Sequence, residues 1–312
     1  MRVGKYRAYS STANLGPGFD VVGIALQAFY DEAEVRVSMN GEGKVKVRYV
    51  GPYSNQVGSF AGDCVAKRAA LALLRRYRSD VDVNIVIWKG VPPGKGLGSS
   101  GASAALVVHA LDDILDLGLR DEEKVLLAGE GEAASAGTPH YDNVAASLLG
   151  GLAIVSKSKA GIKVWSTKVR ATFVVAVPDV HMYHSKTKLM RSLIPDEVPL
   201  NVHVENSSYL ATLLAGLLTG DLKLAGYGMS NDVIVAKARS PHVPCYAEAM
   251  EAAIKAGAYG FTLSGAGPST VALVDECNAE TVAKALEKAY SSCGVKAQVV
   301  ITQVAGGPER LD

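Results

Sequence analysis

An excess of charge of either sign is what this chain most plainly lacks: 32 lysines and arginines face 31 aspartates and glutamates, for a formal net charge of +1. That balance excludes a basic footprint spread over the molecule, and with it a protein that works by neutralising nucleic-acid phosphates. The one dense basic stretch, KRAALALLRRYR from Lys67 to Arg78, interleaves its cations with apolar residues at helical spacing, so it reads as a solvated helix face. Cysteine is scarce too. Cys64, Cys245, Cys277 and Cys293 stand far apart with no CxxC pair. Neither a zinc site nor a disulfide framework is expected from that spacing, and the four are read as reduced thiols of a cytosolic protein. The N-terminus, MRVGKYRAYSSTAN, has no apolar signal-peptide segment. The longest uncharged run, Ala256 to Val274, is full of Gly, Ser, Thr and Pro, unlike a membrane span. A cytoplasmic protein with no membrane or nucleic-acid partner is therefore expected. Only four glutamines and compact loops hint at a heat-stable one.

What is present is ordinary globular composition, 48% hydrophobic and 20% charged, over 312 residues, enough for one large or two medium domains. EVRVSM and KVKVRYV alternate apolar and polar residues around NGEG and predict a β-hairpin. A helix is expected over 61–77, a strand at VNIVIW, helices over 100–115, 122–134 and after Tyr141, and a strand at GGLAIVS. Past Gly161, ATFVVAVP reads as a buried strand and 201–218 as a long helix. The tail reads helix 246–255, strands 260–263 and 270–274, helix 280–290 and strand 297–302. That order predicts an α+β fold with helices packed on mostly antiparallel sheet. There is no repeat and no low-complexity linker. Two halves, 1–160 and 161–312, are expected to share an interface, and the cleft between them is the default site.

The most informative stretch is VPPGKGLGSSGASAAL, Val91 to Leu106. It fails the Walker pattern, because Gly96 rather than Ser or Thr follows Lys95. Gly96, Gly98 and Gly101 meet the dinucleotide fingerprint GxGxxG, but the chain runs on as helix where that fingerprint needs a second strand ending in an acid. What remains is physical. Backbone N–H groups free of side chains, at the positive end of an Ala-rich helix, make an anion site. A helix-capping turn needs less than four glycines and two serines.

PPGKGLGSSGA resembles the phosphate-binding motif of the GHMP kinases, P-x-x-x-G-L-G-S-S-A, departing only at Gly101. SSTANLGPGFDVVGIAL, Ser10 to Leu26, resembles the first motif of that family in its homoserine kinase form. SGAGPSTVALV, Ser264 to Val274, resembles the third. The three motifs together span nearly the whole chain. The resemblance implies a two-domain GHMP kinase fold, with an N-terminal half like the second domain of ribosomal protein S5 and a ferredoxin-like C-terminal half. It implies ATP and Mg2+ as cofactors. The nucleotide phosphates would be held at Pro92, Pro93, Gly94, Lys95, Gly96, Leu97, Gly98, Ser99, Ser100, Gly101 and Ala102, and approached by Gly265 and Gly267. Ser100 and Glu132 would hold magnesium, with Glu130 the less suited neighbour.

GTPHYDNVAASLLGG resembles the homoserine kinase stretch H-x-D-N-V-A-P-x-x-x-G-G, with Ser147 in place of proline. His140 would then line the amino-acid pocket, and Asn143 would contact substrate or γ-phosphate. Many relatives carry an aspartate base here, and whether Asp142 or Asn143 takes its position is open by one residue. If Asn143 takes it, the hydroxyl attacks directly and its proton goes to phosphate or water. An α-amino acid needs an arginine for its carboxylate and an oxygen for its ammonium. Asn14 and Asp20 supply the oxygens, and Arg191 and Arg239 match two arginines of the family, although Ala236-Lys237 stands where relatives have Glu-Pro. The implied activity is phosphorylation of L-homoserine by ATP, a step towards threonine, in a homodimer. Another small-molecule kinase of the family, acting on shikimate or mevalonate, is the alternative, but neither of those carries an ammonium for Asp20. A binding protein that has lost catalysis is disfavoured by the intact Ser100, Glu132 and glycine loops. His181 and His184, in HMYH, have the spacing of a metal pair, but no further ligand stands nearby and they are read as structural.

Overall fold

The computed structural model describes residues 1–57, 64–136, 139–159, 161–180 and 186–312. The chain opens with two long strands, β1 (Arg2–Asn14) and β2 (Gly18–Met39), paired antiparallel from Arg2 against Val37 to Asn14 against Gly18. Their turn is left-handed at Asn14 (φ 71°), Leu15 (φ 48°) and Gly16 (φ 83°), so the ANLGPG stretch is a strained hairpin end rather than a loop between domains. Next come β3 (Val45–Val50), α1 (Val65–Tyr77), β4 (Val81–Trp88), α2 (Ser99–Leu115), α3 (Asp121–Ala136), α4 (Tyr141–Leu149) and the hairpin β5 (Leu152–Ser158) and β6 (Gly161–Thr167).

The expected hairpin around NGEG does not form. β4 lies between β2 and β3, antiparallel to the first and parallel to the second. The alternating pattern does mark strands, but β4 (VDVNIVIW) buries every second residue, Val81, Val83, Ile85 and Ile87, and inserts between the two strands expected to pair. β6 joins the first sheet by pairing with β5, although it lies beyond residue 160. The same sheet takes the last strand of the chain, β11 (Glu309–Arg310), on its β1 edge. One face of this sheet packs on α1 to α4 through a core that includes Tyr6, Val35, Leu73, Ile85, Leu111 and Val144.

The second sheet is antiparallel throughout, in the order β10-β7-β9-β8, built from β7 (Thr172–Pro178), β8 (Gly260–Leu263), β9 (Thr270–Val274) and β10 (Ala297–Gln303). Its helices are α5 (Lys186–Ser192), α6 (Leu200–Thr219), α7 (Leu222–Ser230), α8 (Val235–Arg239), α9 (Tyr246–Lys255) and α10 (Ala279–Ser292). β7 is buried at every position because both of its faces are covered. Phe173, Val175 and Val177 meet Leu213, Leu217 and Met229 of α6 and α7, together with Leu15, Ile24 and Leu97 of the first half. Val174 and Ala176 meet Ala249, Leu286 and Tyr290 of α9 and α10. The two halves thus share one continuous apolar interface. α5, α7 and α8 have no counterpart among the expected elements. Asp221 starts α7 by accepting the Leu224 N–H, a side-chain cap.

The cysteines depart from expectation. Cys245 and Cys293 form a disulfide, while Cys64 and Cys277 are free thiols. Cys245 immediately precedes α9 and Cys293 immediately follows α10, and those two helices pack on each other. Spacing along the chain, 48 residues, carried no sign of that meeting. Residues 61–63 of the expected first helix, and His181 and His184, lie outside the described residues. Among the described residues no helix is long and apolar enough to cross a membrane.

Candidate active site

The three glycine-rich stretches meet at one place, and backbone hydrogen bonds join them. The Ser11 N–H donates to Leu97 O at 3.2 Å, Gly265 N–H to Ala13 O at 3.1 Å, and Ser269 N–H to Lys95 O at 3.2 Å. Ser264 Oγ donates to Gly96 O at 2.7 Å and to Thr12 Oγ1 at 3.0 Å. Glycine is required here by contact as well as by backbone conformation. At Gly96 (φ 81°) a Cβ would stand 2.2 Å from Ser264 O, and at Gly98 (φ 63°) 2.0 Å from Ser11 Oγ. Ser11, Thr12 and Ser264 lie inside the quoted motifs, yet nothing in a sequence marks them as the stitches between loops.

Gly98 is the left-handed N-cap of α2, whose first turn begins at Ser99. The loop from Pro92 to Gly98 therefore lies directly before a helix N-terminus, as its glycines suggested. Its members play different parts. Leu97 and Ala102 are buried in the interface between the halves. Ser99 Oγ donates to Val91 O at 2.9 Å and closes the loop on itself. Pro92 is buried, and Pro93 and Gly101 complete the turn and the first helical residues. Lys95 points its ammonium away to the far half, donating to Pro178 O at 2.9 Å and Val180 O at 3.1 Å. What Lys95 offers the loop is backbone.

Ser100 and Glu132, on α2 and α3, are brought together: Ser100 Oγ donates to Glu132 Oε1 at 2.8 Å. Glu132 is 3% exposed, and its other oxygen accepts the His140 N–H at 3.0 Å. Glu130 stays exposed. A buried carboxylate beside a hydroxyl is a hard oxygen pair, the donor chemistry that suits Mg2+. Burial works to lower the His140 pKa, but the hydrogen bond and charge of Glu132 outweigh it, and the imidazole titrates above its ordinary range.

At the start of α4, Asn143 faces the glycine loop. Its Oδ1 accepts the Ser11 hydroxyl at 3.0 Å and lies where a Cβ on Gly98 would come within 2.9 Å. Asp142 is turned inward, 2% exposed, and its Oδ1 accepts the Asn143 N–H at 2.8 Å. Burial, with the charge of Asp20 added, pushes the Asp142 carboxyl up to about 7.

The amino-acid candidates gather on the other side of the β1–β2 turn. Asn14 braces it, accepting the Asp20 N–H at 3.2 Å and donating to Gly265 O at 3.1 Å. Asp20 is left-handed (φ 59°) and exposed. Arg191 of α5 grips that carboxylate in a fork, 3.0 and 2.7 Å. Arg239, at the end of α8, is 3% exposed and donates to Met190 O at 3.0 Å and Gly265 O at 3.4 Å. Burial pulls its pKa down to about 10, so it remains charged at neutral pH. Both guanidinium groups stand over the Phe19 ring, at 4.8 and 5.1 Å. Phe19 was not singled out in the sequence, though it sits within GFD. His140, Asp20 and Asp142 are close enough to act on one another electrostatically.

A glycine cradle at a helix N-terminus, an oxygen pair beside it and a charged pocket across a hairpin turn define a small-molecule phosphotransferase. The family models agree: GHMP kinases N terminal domain matches residues 65–151 and GHMP kinases C terminal matches 213–292. The chain belongs to the GHMP kinase family and is an ATP-dependent phosphotransferase. Among curated relatives it is 44% identical to the homoserine kinase of Aeropyrum pernix, over 92% of each chain. It is 40% identical to that of Pyrobaculum neutrophilum, over 96% of this chain and 98% of the other. The solved homoserine kinase of Cytophaga hutchinsonii matches with a TM-score of 0.90 and 29% identity, over 100% of this chain and 98% of that one. The mevalonate kinase of L. major shares the fold at 18% identity and a TM-score of 0.72.

Proposed function

We propose that this chain transfers the γ-phosphoryl group of ATP to the side-chain hydroxyl of L-homoserine, giving ADP and O-phospho-L-homoserine. The observation that carries the reading is the cluster of Asp20, Arg191 and Arg239 around Phe19, beside the glycine cradle. A carboxylate and two arginines suit a zwitterion, and neither shikimate nor mevalonate brings an ammonium for Asp20. Homoserine kinases stand among the most similar relatives, at 37 to 44% identity over most of the chain.

In this reading Arg191 and Arg239 hold the substrate carboxylate, and Asp20 takes the ammonium. Asn14 keeps the turn in shape, and His140 lines the pocket. Backbone N–H groups of Gly94 to Gly98, Ser99 and Ser100 cradle the phosphates at the positive end of α2, and Gly265 and Gly267 close over them. Ser100 and Glu132 hold Mg2+, which neutralises phosphate charge when bound. Asn143 faces the cradle and orients the attacking hydroxyl. An amide cannot act as a base, so the hydroxyl proton leaves to a phosphate oxygen or water as the new P–O bond forms and the bond to ADP breaks. The inward turn of Asp142 favours this assignment over a carboxylate base. Catalysis is then positioning plus charge neutralisation.

Labour divides between residues 1–160, which carry the cradle and the metal pair, and 161–312, which carry the arginines and the third loop. We place the protein in the cytoplasm and assign it a homodimeric state, which light scattering on a sizing column tests directly. For the activity, ADP release coupled to a second enzyme is compared across homoserine, shikimate and mevalonate. Homoserine alone should stimulate it, and no stimulation by homoserine would sink the reading.

A further inference from the structure

The loop from Pro92 to Gly98 is fastened at both ends to one buried ion pair. Lys89 follows the last residue of β4 and Asp31 lies within β2, and their side chains are 2% and 0% exposed. Lys89 Nζ donates to Asp31 Oδ2 at 2.5 Å, to Ser99 O at 2.7 Å and to Ser103 Oγ at 2.9 Å. Three contacts occupy all three ammonium protons. Asp31 Oδ1 accepts the N–H groups of Gly90 and Val91 at 3.1 and 3.0 Å, and Oδ2 accepts the Ser103 hydroxyl at 2.7 Å. The residues that enter the loop, Gly90 and Val91, and those that leave it, Ser99 and Ser103, are therefore tied to the same two charges.

A buried ion pair is a poor device for stability alone, since well-packed apolar residues of equal volume commonly do as well or better. Burial pushes the Lys89 pKa down, and the charge of Asp31 works against it. What the pair does well is fix geometry, because each of its contacts has a required direction. The loop needs that help. Gly94, Gly96 and Gly98 all adopt positive φ, a conformation with many alternatives for glycine.

We infer that Lys89 and Asp31 are positioning residues that preset the shape of the loop, and so its affinity for the ATP phosphates, without touching the nucleotide. The inference rests on the reading that residues 92–98 hold those phosphates. It differs from a purely structural role in one respect: the damage should fall on the nucleotide and spare the amino acid. The anchors of homoserine, Asp20, Arg191 and Arg239, make no hydrogen bond to the Lys89–Asp31 pair in the structure.

The test compares the parent chain with Lys89→Met and Ser103→Ala. Calorimetry measures ATP and homoserine separately, and steady-state assays give the KM for each. Lys89→Met should weaken ATP at least tenfold and leave homoserine within twofold. Ser103→Ala removes one contact of Lys89 without stranding a charge, and should weaken ATP about threefold with the same selectivity. If Lys89→Met does not fold by circular dichroism, Ser103→Ala decides the matter alone. Equal losses for both ligands, or unchanged ATP affinity in a folded variant, overturn the inference. Failure of the parent chain to bind ATP overturns the phosphate-loop reading itself, and the inference with it.

Discussion

Arg191 closes a two-pronged ion pair on Asp20 at 3.0 and 2.7 Å, across 171 residues of sequence and from one half of the molecule to the other. Both groups are partly exposed, 46% and 40% by side chain, so the pair contributes little to stability. Its interest is chemical. Arg191 is already holding a carboxylate, in the geometry an amino-acid carboxylate would take.

A substrate zwitterion should therefore exchange partners with this pair. Arg191→Ala and Asp20→Asn should each raise the homoserine KM at least tenfold and leave the ATP KM within twofold. The asparagine is chosen because it tolerates the left-handed backbone of Asp20. The double variant should lose about the sum of the two single losses in free energy, because Asp20 and Arg191 hold opposite ends of the zwitterion. A double variant no worse than the worse single one would show that the two act on homoserine as one unit.

Glu132→Gln keeps shape and removes the charge of the oxygen pair. We expect kcat to fall on the order of 100-fold, with the Mg2+ concentration needed for half-maximal rate raised, as for loss of a preorganised charge contact in phosphoryl transfer. Homoserine binding measured without nucleotide should be unchanged. A magnesium titration of the variant checks both halves of the expectation.

The Cys245–Cys293 bridge closes a loop of 48 residues. Chain entropy alone sets its worth at about 4 kcal/mol, which for a chain of this size lowers Tm by about 6 °C on removal. Cys293→Ser and reductant should produce the same shift in the parent, and reductant should do nothing further to the variant. Neither sulfur lies in the candidate site, so kcat at moderate temperature should hold. Calorimetric scans with and without reductant decide it.

Asp142 gives a pH signature. Its carboxyl is pushed up to about 7 by burial and by Asp20, above the value it has in an unfolded chain. The folded state thus holds a proton that the unfolded state has already lost, and stability falls as pH rises from about 4 through 7. Asp142→Asn should erase that decline: its Tm should gain on the parent between pH 5.5 and 8.5, by a few degrees. A difference in Tm independent of pH would place the proton elsewhere.

Much of the site was legible in the sequence because its parts are local. Gly94, Gly96 and Gly98 before an Ala-rich helix mark a tight left-handed turn at a helix N-terminus, as found, and the alternation and apolar runs of β4, β7 and β9 place strands with nearly the right limits. Ser100 and Glu132 were paired by family resemblance, and they do meet. Missed were the residues whose role lies in a partner: Ser11, Thr12 and Ser264 between the loops, Phe19 beneath two guanidinium groups, and Lys89 with Asp31. A lysine ending an apolar strand was the one visible hint of that last pair.

Local pattern along the chain specifies the class of protein and the form of most elements, since periodicity, glycine and caps act within a few residues. Tertiary structure alone decided who meets whom: that β4 parts β2 from β3, that Cys245 finds Cys293, that Lys95 reaches across to Pro178 while Lys89 turns beneath the loop onto Asp31. Those choices depend on which faces the packed core brings together, a property of the whole chain and of no window within it.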